Sequence, residues 1–281
     1  MLSYRHAFHA GNFADVLKHT VLVALVQSLR RKEKPFFYLD THAGAGRYDL
    51  TTAVAEKTGE WRDGIGLLLA NKGKGPVLTR AYLNLVKAMS RKGSLRYYPG
   101  SPRLVRELLR PQDRMWLCEL HPRDIEALRR EFANDRQVKV AFDDGFQAVK
   151  ALLPPKARRG LVLFDPAYEV KSDYRTVVEV MMQGYQRFAT GMFAIWYPLV
   201  ERAAVERLWK LVAKSGVARA LVVEHSVAID GCGGMTGSGM IVVNPPWQFD
   251  EQMGETLPWL AEVLSPAGGG AFQLEWLVGA P

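Results

Sequence analysis

The first residues with chemical potential stand where a short apolar segment stops. Residues 159–168 read RGLVLFDPAY, so a predicted strand ends at Asp165 and is followed by Pro166, Ala167 and Tyr168. An acid or amide, then proline, then an aromatic at a strand end is a pattern that holds the exocyclic amino group of a nucleobase. The Asp165 carboxylate and the Pro166 carbonyl can accept both N–H hydrogens, and the Tyr168 ring can stack on the base. We therefore predict Asp165 as catalytic and Pro166 and Tyr168 as substrate-binding, although strands also end in ordinary Asp-Pro turns.

A glycine-rich loop supplies a second motif. Residues 35–46 read PFFYLDTHAGAG, an apolar strand running into an acid and then Gly44 and Gly46. Glycines there permit a tight turn and close approach of the backbone to a ligand. The loop resembles the first cofactor loop of class I S-adenosylmethionine-dependent methyltransferases, with His42 in place of the usual first glycine. The nicotinamide fingerprint fits less well, because Asp49 stands where its last glycine is required.

Two further acids follow later strands. Glu119 ends one strand and is placed to accept hydrogen bonds from two ribose hydroxyls, as the acid after the glycine loop does in dinucleotide-binding folds. Asp143, Asp144 and Gly145 end the next strand, and Asp144, directly before the glycine, is our choice for holding the amino group of a cofactor's adenine. A single acid after a strand is commonly a turn residue or a helix cap. Several in order predict a cofactor site at one edge of a sheet.

The elements that must position these residues alternate along the chain, which predicts a parallel sheet with crossover helices. We predict an α/β fold of the Rossmann-like class I methyltransferase type, a single domain over residues 1–281 with a seven-stranded, mostly parallel sheet. The strands fall at 36–40, 115–119, 138–142, 161–165, 192–197, 219–225 and 239–244, with a last one near 272–278. The helices fall at 12–31, 77–91, 101–110, 122–134, 146–153, 173–188, 201–215 and 250–264.

Two segments stand outside this alternation. Residues 49–98 separate the glycine loop from the next helix, and we predict a small inserted helical subdomain there, whose basic residues either hold phosphates or form solvated surface. Residues 1–12 precede the first helix and are predicted to form a tail over substrate or cofactor, with Asn12 as the helix N-cap. His6 and His9 in this region have no cysteine or acid completing a zinc pattern, so no metal site is predicted.

A second amide-proline-proline-aromatic motif, Asn244-Pro245-Pro246-Trp247, competes with the first. In a class I methyltransferase the seventh strand runs antiparallel to the others, so the end of this strand points away from the cofactor edge. We therefore predict a rigid turn rather than a catalytic motif, with Trp247 packed against the protein.

The amino-acid composition limits the class of protein and the kind of partner that it binds. The chain has 281 residues, 48% of them hydrophobic and 23% charged, which is typical of a globular protein that buries a sizeable core. Its formal charge of +8 favours a polyanionic partner, most simply a nucleic acid. Only two cysteines occur, and no export signal or membrane-length apolar run is apparent, so we expect a cytoplasmic protein with no membrane partner.

Several segments together resemble the bacterial ribosomal RNA large subunit methyltransferase J family, the 23S rRNA (adenine2030-N6)-methyltransferases. They are YRHAFHAGNFADVLKHT, YLDTHAGAGRY, LRYYPGSP, ELHP, DDGF, RRGLVLFDPAYE, YPLV and MTGSGMIVVNPPW. The resemblance implies a monomer that uses S-adenosyl-L-methionine to methylate adenine N6 in 23S rRNA. It also implies site residues, with a substrate-side role for Tyr4 and cofactor contacts by His19, His42, Ser101, Glu119, Asp144, Gly145 and Asp165.

One departure from the family pattern is Ala167, where a second proline is usual. The missing proline can loosen the turn that aims Tyr168 without removing either acceptor. Two alternatives stay open at this point. One is a DNA adenine-N6 methyltransferase; the other is a nucleic-acid-binding protein involved in the use of external DNA.

Overall fold

A computed structural model describes residues 5–71, 74–89, 95–227 and 234–279. Tyr4, several basic residues of the predicted insertion and Cys232 lie outside these ranges. Across the described ranges, no helix combines the length and the apolar character needed to cross a bilayer.

An eight-stranded sheet forms the centre of the fold, in the order β10-β8-β9-β7-β6-β1-β4-β5. Strands β1, β4, β5, β6 and β7 pair in parallel, whereas β9 is antiparallel to both β7 and β8, and β10 is antiparallel to β8. The strands are β1 Phe37–Asp40, β2 Arg47–Asp49, β3 Tyr97–Pro99, β4 Arg114–Cys118, β5 Val138–Ala141, β6 Gly160–Phe164, β7 Met192–Leu199, β8 Ala220–Ser226, β9 Gly237–Val243 and β10 Ala271–Val278.

The α/β class is confirmed; the sheet has eight strands and not seven, because the last strand predicted near 272–278 joins it as β10. The eighth strand, β10, adds to the outer edge of β8, so it extends the sheet without changing the order of the others. Strands β2 and β3 form a separate two-stranded ribbon.

Ten α-helices cover the sheet in the described ranges. They are α1 Phe13–Arg30, α2 Ala53–Thr58, α3 Ile65–Ala70, α4 Val77–Ala88, α5 Ser101–Leu108, α6 Pro122–Glu131, α7 Gly145–Leu152, α8 Asp173–Arg187, α9 Arg202–Ala213 and α10 Phe249–Leu264. Apolar side chains of α1, α4, α5, α6 and α10 form the core on one face, and those of α7, α8 and α9 form the core on the other.

Helix α1 lies at the centre of the first core. The Asn12 side chain caps it by accepting the backbone N–H of Asp15, as predicted. Its middle is apolar on all sides and buried, because it packs against α4, α5, α10 and strand β9 at once. Its first turns also carry polar residues that are buried, which becomes important at the site.

The segment predicted as an insertion contains α2, a 3-10 turn at Glu60–Arg62, α3 and α4, and the ribbon of β2 and β3 closes its two ends. His9 Nδ1 lies 2.9 Å from Glu60 Oε1, which ties the stretch before α1 to this segment. The hydrogen bond with Glu60 raises the pKa of His9 against the effect of burial.

The late proline motif lies away from the predicted site, because β9 is antiparallel to β7. The Asn244 side chain donates hydrogen bonds to the carbonyls of Ala189 (2.7 Å) and Gly191 (2.8 Å), before β7 begins. The expectation that Trp247 packs against the protein is wrong, since 75% of its surface is exposed. The turn after Asn244 directs the indole outward instead of onto the sheet.

Candidate active site

A cavity of about 930 Å³ opens at the carboxyl ends of β1, β4, β5 and β6. It lies where a doubly wound sheet reverses its strand order, the usual place for a ligand in this architecture. Its lining contains every predicted site residue that the structure describes: His19, His42, Gly44, Ser101, Glu119, Asp144, Gly145, Asp165, Pro166 and Tyr168. Tyr4 lies outside the described residues.

The glycine loop is shaped to hold Glu119. Gly44 has φ +61°, and a Cβ there would lie 2.3 Å from the Tyr48 hydroxyl, so the position requires glycine. The Gly44 N–H donates to Glu119 Oε2 at 2.7 Å, and the His121 N–H donates to Oε1 at 2.6 Å. Burial raises the pKa of Glu119 against these two hydrogen bonds. Each carboxylate oxygen keeps acceptor capacity, so the pair of oxygens can still receive two hydroxyl groups.

Asp40 acts as a buried anchor beneath the loop. Its Oδ2 accepts hydrogen bonds from the Tyr38 and Ser101 hydroxyls, each at 2.7 Å, and its Oδ1 accepts the N–H of His42 at 3.3 Å. Burial raises its pKa to about 6, and the two hydroxyls oppose that change. Because the Ser101 hydroxyl proton is directed to Asp40, its oxygen can only accept a hydrogen bond from a ligand.

His42 is neutral, and its tautomer follows from its neighbours. The Thr41 hydroxyl donates to the Leu163 carbonyl at 2.9 Å, so the 2.8 Å contact between Thr41 Oγ1 and His42 Nδ1 requires Nδ1–H as the donor. Burial lowers the pKa of His42 to about 4. The ring meets the Phe146 ring edge-on at 5.1 Å, which fixes its plane. His42 Nε2 is therefore an acceptor, and the nearby carboxylates of Asp165 and Asp144 only partly oppose the effect of burial on the pKa of the ring.

Asp144 and Gly145 begin α7 against the glycine loop. Asp144 is the N-cap of α7, and its Oδ1 accepts the Phe146 N–H at 2.8 Å. A Cβ on Gly145 would lie 2.0 Å from the carbonyl oxygen of Thr41, so only glycine allows α7 to approach the loop this closely. The close approach holds Asp144 at the edge of the cavity.

Asp165 is held by a buried chain of charges that the strand pattern did not reveal. Lys18 Nζ donates to Asp165 Oδ2 at 2.7 Å and also lies 2.9 Å from Asp15 Oδ1. Lys18 is only 4% exposed, and its ammonium lies 5.5 Å from the centre of the Trp196 ring. This arrangement fixes one carboxylate oxygen of Asp165, and its side chain remains 15% exposed toward the cavity.

Asp15 is the most deeply buried member of this series of charged groups. Its Oδ2 accepts from His6 Nε2 and from the Gly11 N–H, both at 2.9 Å. Burial alone would raise the pKa of Asp15, but the charges of His6 and Lys18 hold it well below its usual range. The sequence signal for this series of charges was a pair of charged residues at positions 15 and 18 in the first turns of a helix whose middle is apolar.

His19 lines the cavity from α1 but is 1% exposed. Its Nδ1 lies 2.7 Å from the Tyr98 hydroxyl, which in turn lies 2.8 Å from that of Tyr82. Burial lowers the pKa of His19 to about 3, so the ring is neutral. The first turns of α1 thus provide a rigid wall for the cavity.

Tyr168 is fixed in a left-handed backbone conformation, with φ +53°. Its hydroxyl donates to the Trp196 carbonyl at 2.6 Å, and its ring lies 4.4 Å from the ring of Tyr174. A non-glycine residue in this conformation is strained, and such strain clusters at functional sites. The ring is therefore oriented by both its hydroxyl and its face, even though Ala167 replaces the usual proline before it.

The sheet order, the antiparallel β9 and a cavity lined by one acid after each of the parallel strands β4, β5 and β6 define a class I methyltransferase fold. The family model described as "Ribosomal RNA large subunit methyltransferase D, RlmJ" matches residues 33–278, and the chain belongs to this family of methyltransferases.

Similar proteins agree with this assignment. The chain is 52% identical to Ribosomal RNA large subunit methyltransferase J of Escherichia coli (strain K12), and 51% identical to the protein of the same name from Haemophilus influenzae. Both matches span 279 residues and 99% of each chain. A crystal structure of a protein from Legionella pneumophila is similar at a TM-score of 0.89 with 36% identity, covering 95% of this chain and 98% of that one.

Proposed function

We propose that this chain transfers a methyl group from S-adenosyl-L-methionine to N6 of an adenine in 23S ribosomal RNA. The proposal rests mainly on the position of Asp165, a hydrogen-bond acceptor directly after β6. One of its two carboxylate oxygens accepts a hydrogen bond from Lys18 at 2.7 Å. The names of the two curated relatives support ribosomal RNA as the substrate, and the resemblance of the motifs points to adenine 2030.

The donor set of the cavity fits the cofactor. Glu119 offers two oriented oxygens for ribose hydroxyls, Asp144 offers an acceptor for an adenine amino group, and His42 offers a neutral ring nitrogen. Ser101 and His19 would complete its surroundings. When bound, S-adenosylmethionine supplies a methyl group that its positive sulfonium already makes electrophilic.

The residues of the chain then have to align the acceptor nitrogen. Adenine N6 is a weak nucleophile, because its lone pair is delocalised into the ring. Asp165 and the Pro166 carbonyl accept the two N6 hydrogens, which favours a more tetrahedral nitrogen and aims its lone pair. Tyr168 supports the flipped base by stacking. The N6 proton becomes strongly acidic only after methylation, so Asp165 needs to accept a proton only late.

Mass spectrometry of 23S rRNA tests this proposal. Cells lacking the gene should lose one N6-methyladenine, and the wild-type chain should restore it whereas Asp165→Ala should not. Purified 23S rRNA and a DNA strand of the same sequence, offered side by side, separate the RNA from the DNA activity. Restoration by Asp165→Ala, or preference for DNA, would contradict the proposal.

Three further expectations from the sequence are also proposals. We propose that the chain acts as a monomer in the cytoplasm, where its ribosomal RNA substrate is present. We also propose that residues 49–98 form a subdomain that contacts RNA. Tyr4 and its neighbours in residues 1–12 would contact the substrate. Light scattering of the purified protein tests the first of these.

A further inference from the structure

The end of the sheet opposite the cavity carries a dense group of basic side chains. It is built from three segments, 29–34 after α1, 109–114 between α5 and β4, and 154–159 before β6. We name it the basic pole, and its members are Arg30, Arg31, Lys32, Lys34, Arg110, Arg114, Lys156, Arg158 and Arg159. The same segments hold two acids, Glu33 and Asp113, so this pole carries almost as much positive charge as the net +8 of the whole chain.

Hydrogen bonds fix the three segments to one another. The Arg110 guanidinium donates to the carbonyls of Lys32 (2.8 Å) and Lys34 (3.1 Å), and Arg159 donates to the carbonyl of Leu29 (2.8 Å). Burial and the nearby charge of Arg110 both lower the pKa of Arg159. Two partly buried arginines therefore brace the turn that follows α1, even though their charges repel.

Apart from Arg110 and Arg159, the basic residues of the pole are exposed; Arg114 donates to the backbone carbonyls of Pro111 and Asp113. Seven of its nine side chains belong to exposed residues, and in the described part of the chain only Arg110 forms an ion pair, with the buried Asp113. Elsewhere on the surface, basic residues such as Arg96 and Arg106 are paired with carboxylates. Uncompensated positive charge on a rigid frame raises the local concentration of polyanions.

An exposed aromatic lies at the same end of the sheet. Strand β9 is antiparallel to β7, so its carboxyl end reaches this pole, and Asn244 is hydrogen-bonded to the segment before β7. The order β9-β7-β6-β1 places this turn three strand spacings, about 14 Å, from the start of β1. Trp247 follows the turn and is 75% exposed, and exposed aromatics beside basic groups stack unpaired bases.

We propose that the basic pole and Trp247 bind a second stretch of the RNA whose target adenine enters the cavity. This inference rests on the proposed function. Helix α1 joins the two places, since Lys18 contacts Asp165 while Arg30 ends the helix at the pole, and twelve residues of α-helix span about 18 Å. A short RNA reaches the cavity alone, and a long folded RNA reaches both.

The test compares two double variants for binding to complete 23S rRNA. Arg31→Gln with Lys32→Gln removes two exposed charges of the pole. Lys210→Gln with Lys214→Gln removes two exposed charges from the last turn and the C-cap of α9, a helix that packs on the face of the sheet opposite α1. If each lost charge neutralised one phosphate, the pole variant should bind about 20-fold more weakly near 0.15 M salt, and the slope of log K against log salt should fall by about 1.4–1.8. The α9 variant should keep the wild-type affinity and slope.

Trp247→Ala separates stacking from charge. It should weaken binding by about 5- to 150-fold with an unchanged salt slope, because stacking releases no counterions. All variants should methylate a short RNA hairpin carrying the target adenine at the wild-type rate.

The proposal is overturned if the pole variant keeps the wild-type salt slope on 23S rRNA, or if the α9 variant loses as much affinity as the pole variant. Failure of the wild-type protein to methylate any RNA would instead count against the proposed function. The binding measurements would still test whether the basic pole binds RNA.

Discussion

Replacing Asp165 with alanine should remove nearly all methyl transfer while the chain stays folded. The substitution deletes an acceptor aimed at the reacting nitrogen, and loss of one such group commonly costs about 100- to 1000-fold in rate. The effect on stability follows from Lys18. It is buried, but it keeps Asp15 at 2.9 Å when Asp165 is lost, so its charge is not left alone.

The free energy of unfolding should therefore fall by about 1.5–3 kcal/mol, the contribution of one hydrogen bond to a charged group. Leaving a buried charge without any partner would cost more, about 3–5 kcal/mol. The melting temperature should fall by about 3–12 °C. Asp165→Asn keeps one acceptor oxygen, but Lys18 can hydrogen-bond only to that oxygen, so the amide NH2 should face the cavity and the variant should be nearly as inactive as Asp165→Ala.

The assay is single-turnover transfer of labelled methyl to unmodified 23S rRNA, alongside thermal melts of both variants. Asp143→Ala is the matched control, because it removes an exposed acid from the same edge of the sheet. More than half of wild-type turnover in Asp165→Ala would refute the assignment. Much higher activity of Asp165→Asn than of Asp165→Ala would show that the amide oxygen faces the cavity and that Lys18 does not hold it.

Three further predictions concern the cofactor edge, the catalytic turn and buried charge. Asp144→Ser keeps an N-cap oxygen for α7 but removes the acceptor for adenine, so the Kd for S-adenosylmethionine should rise at least about tenfold by calorimetry, whereas Asp143→Ser should leave it unchanged. Ala167→Pro should leave that Kd alone and keep or raise the rate; a collapse of turnover would show that the turn follows a different backbone path from its relatives. His225 is buried, neither ring nitrogen has a hydrogen-bond partner among the described residues, and burial lowers its pKa to about 4. The folded state thus binds fewer protons, and the stability present above pH 6.5 is lost as the pH falls toward 4, by about 2 kcal/mol between pH 7 and 5. Burial of His19 and His42 acts in the same direction, so His225→Phe should reduce the slope of that part of the melting profile without removing it, and an unchanged slope would exclude a contribution from His225.

The sequence was sufficient to place the acids at one edge of the sheet. Parallel strands share the direction of their carboxyl ends, so Glu119, Asp144 and Asp165 had to meet once the strands were assigned. The same topology correctly removed Asn244 from the cavity. These predictions needed only strand direction, which apolar runs and turn residues specify well.

Contacts between distant elements were not predictable in the same way. An apolar helix such as α1 does not show from its own pattern which buried polar residue faces which strand, so the ion pair of Lys18 with Asp165 was not foreseen. The prediction that Trp247 packs against the protein was wrong for a related reason. The backbone conformation of the turn decides whether an aromatic after a strand packs on the sheet or points into solvent. The basic pole was missed because its three segments are far apart along the chain.

The position of β9 has a consequence for synthesis of the protein. β9 lies between β7 and β8, although it is made after both, so β8 has no partner within the sheet until residues 237–243 leave the ribosome. Helix α1, which holds Asp165 through Lys18, packs on β9 as well. Long-range contacts of this kind form slowly and late. A nascent chain can therefore assemble its N-terminal elements early, but α1 reaches its final packing, and with it the contact between Lys18 and Asp165, only after β9 has been made.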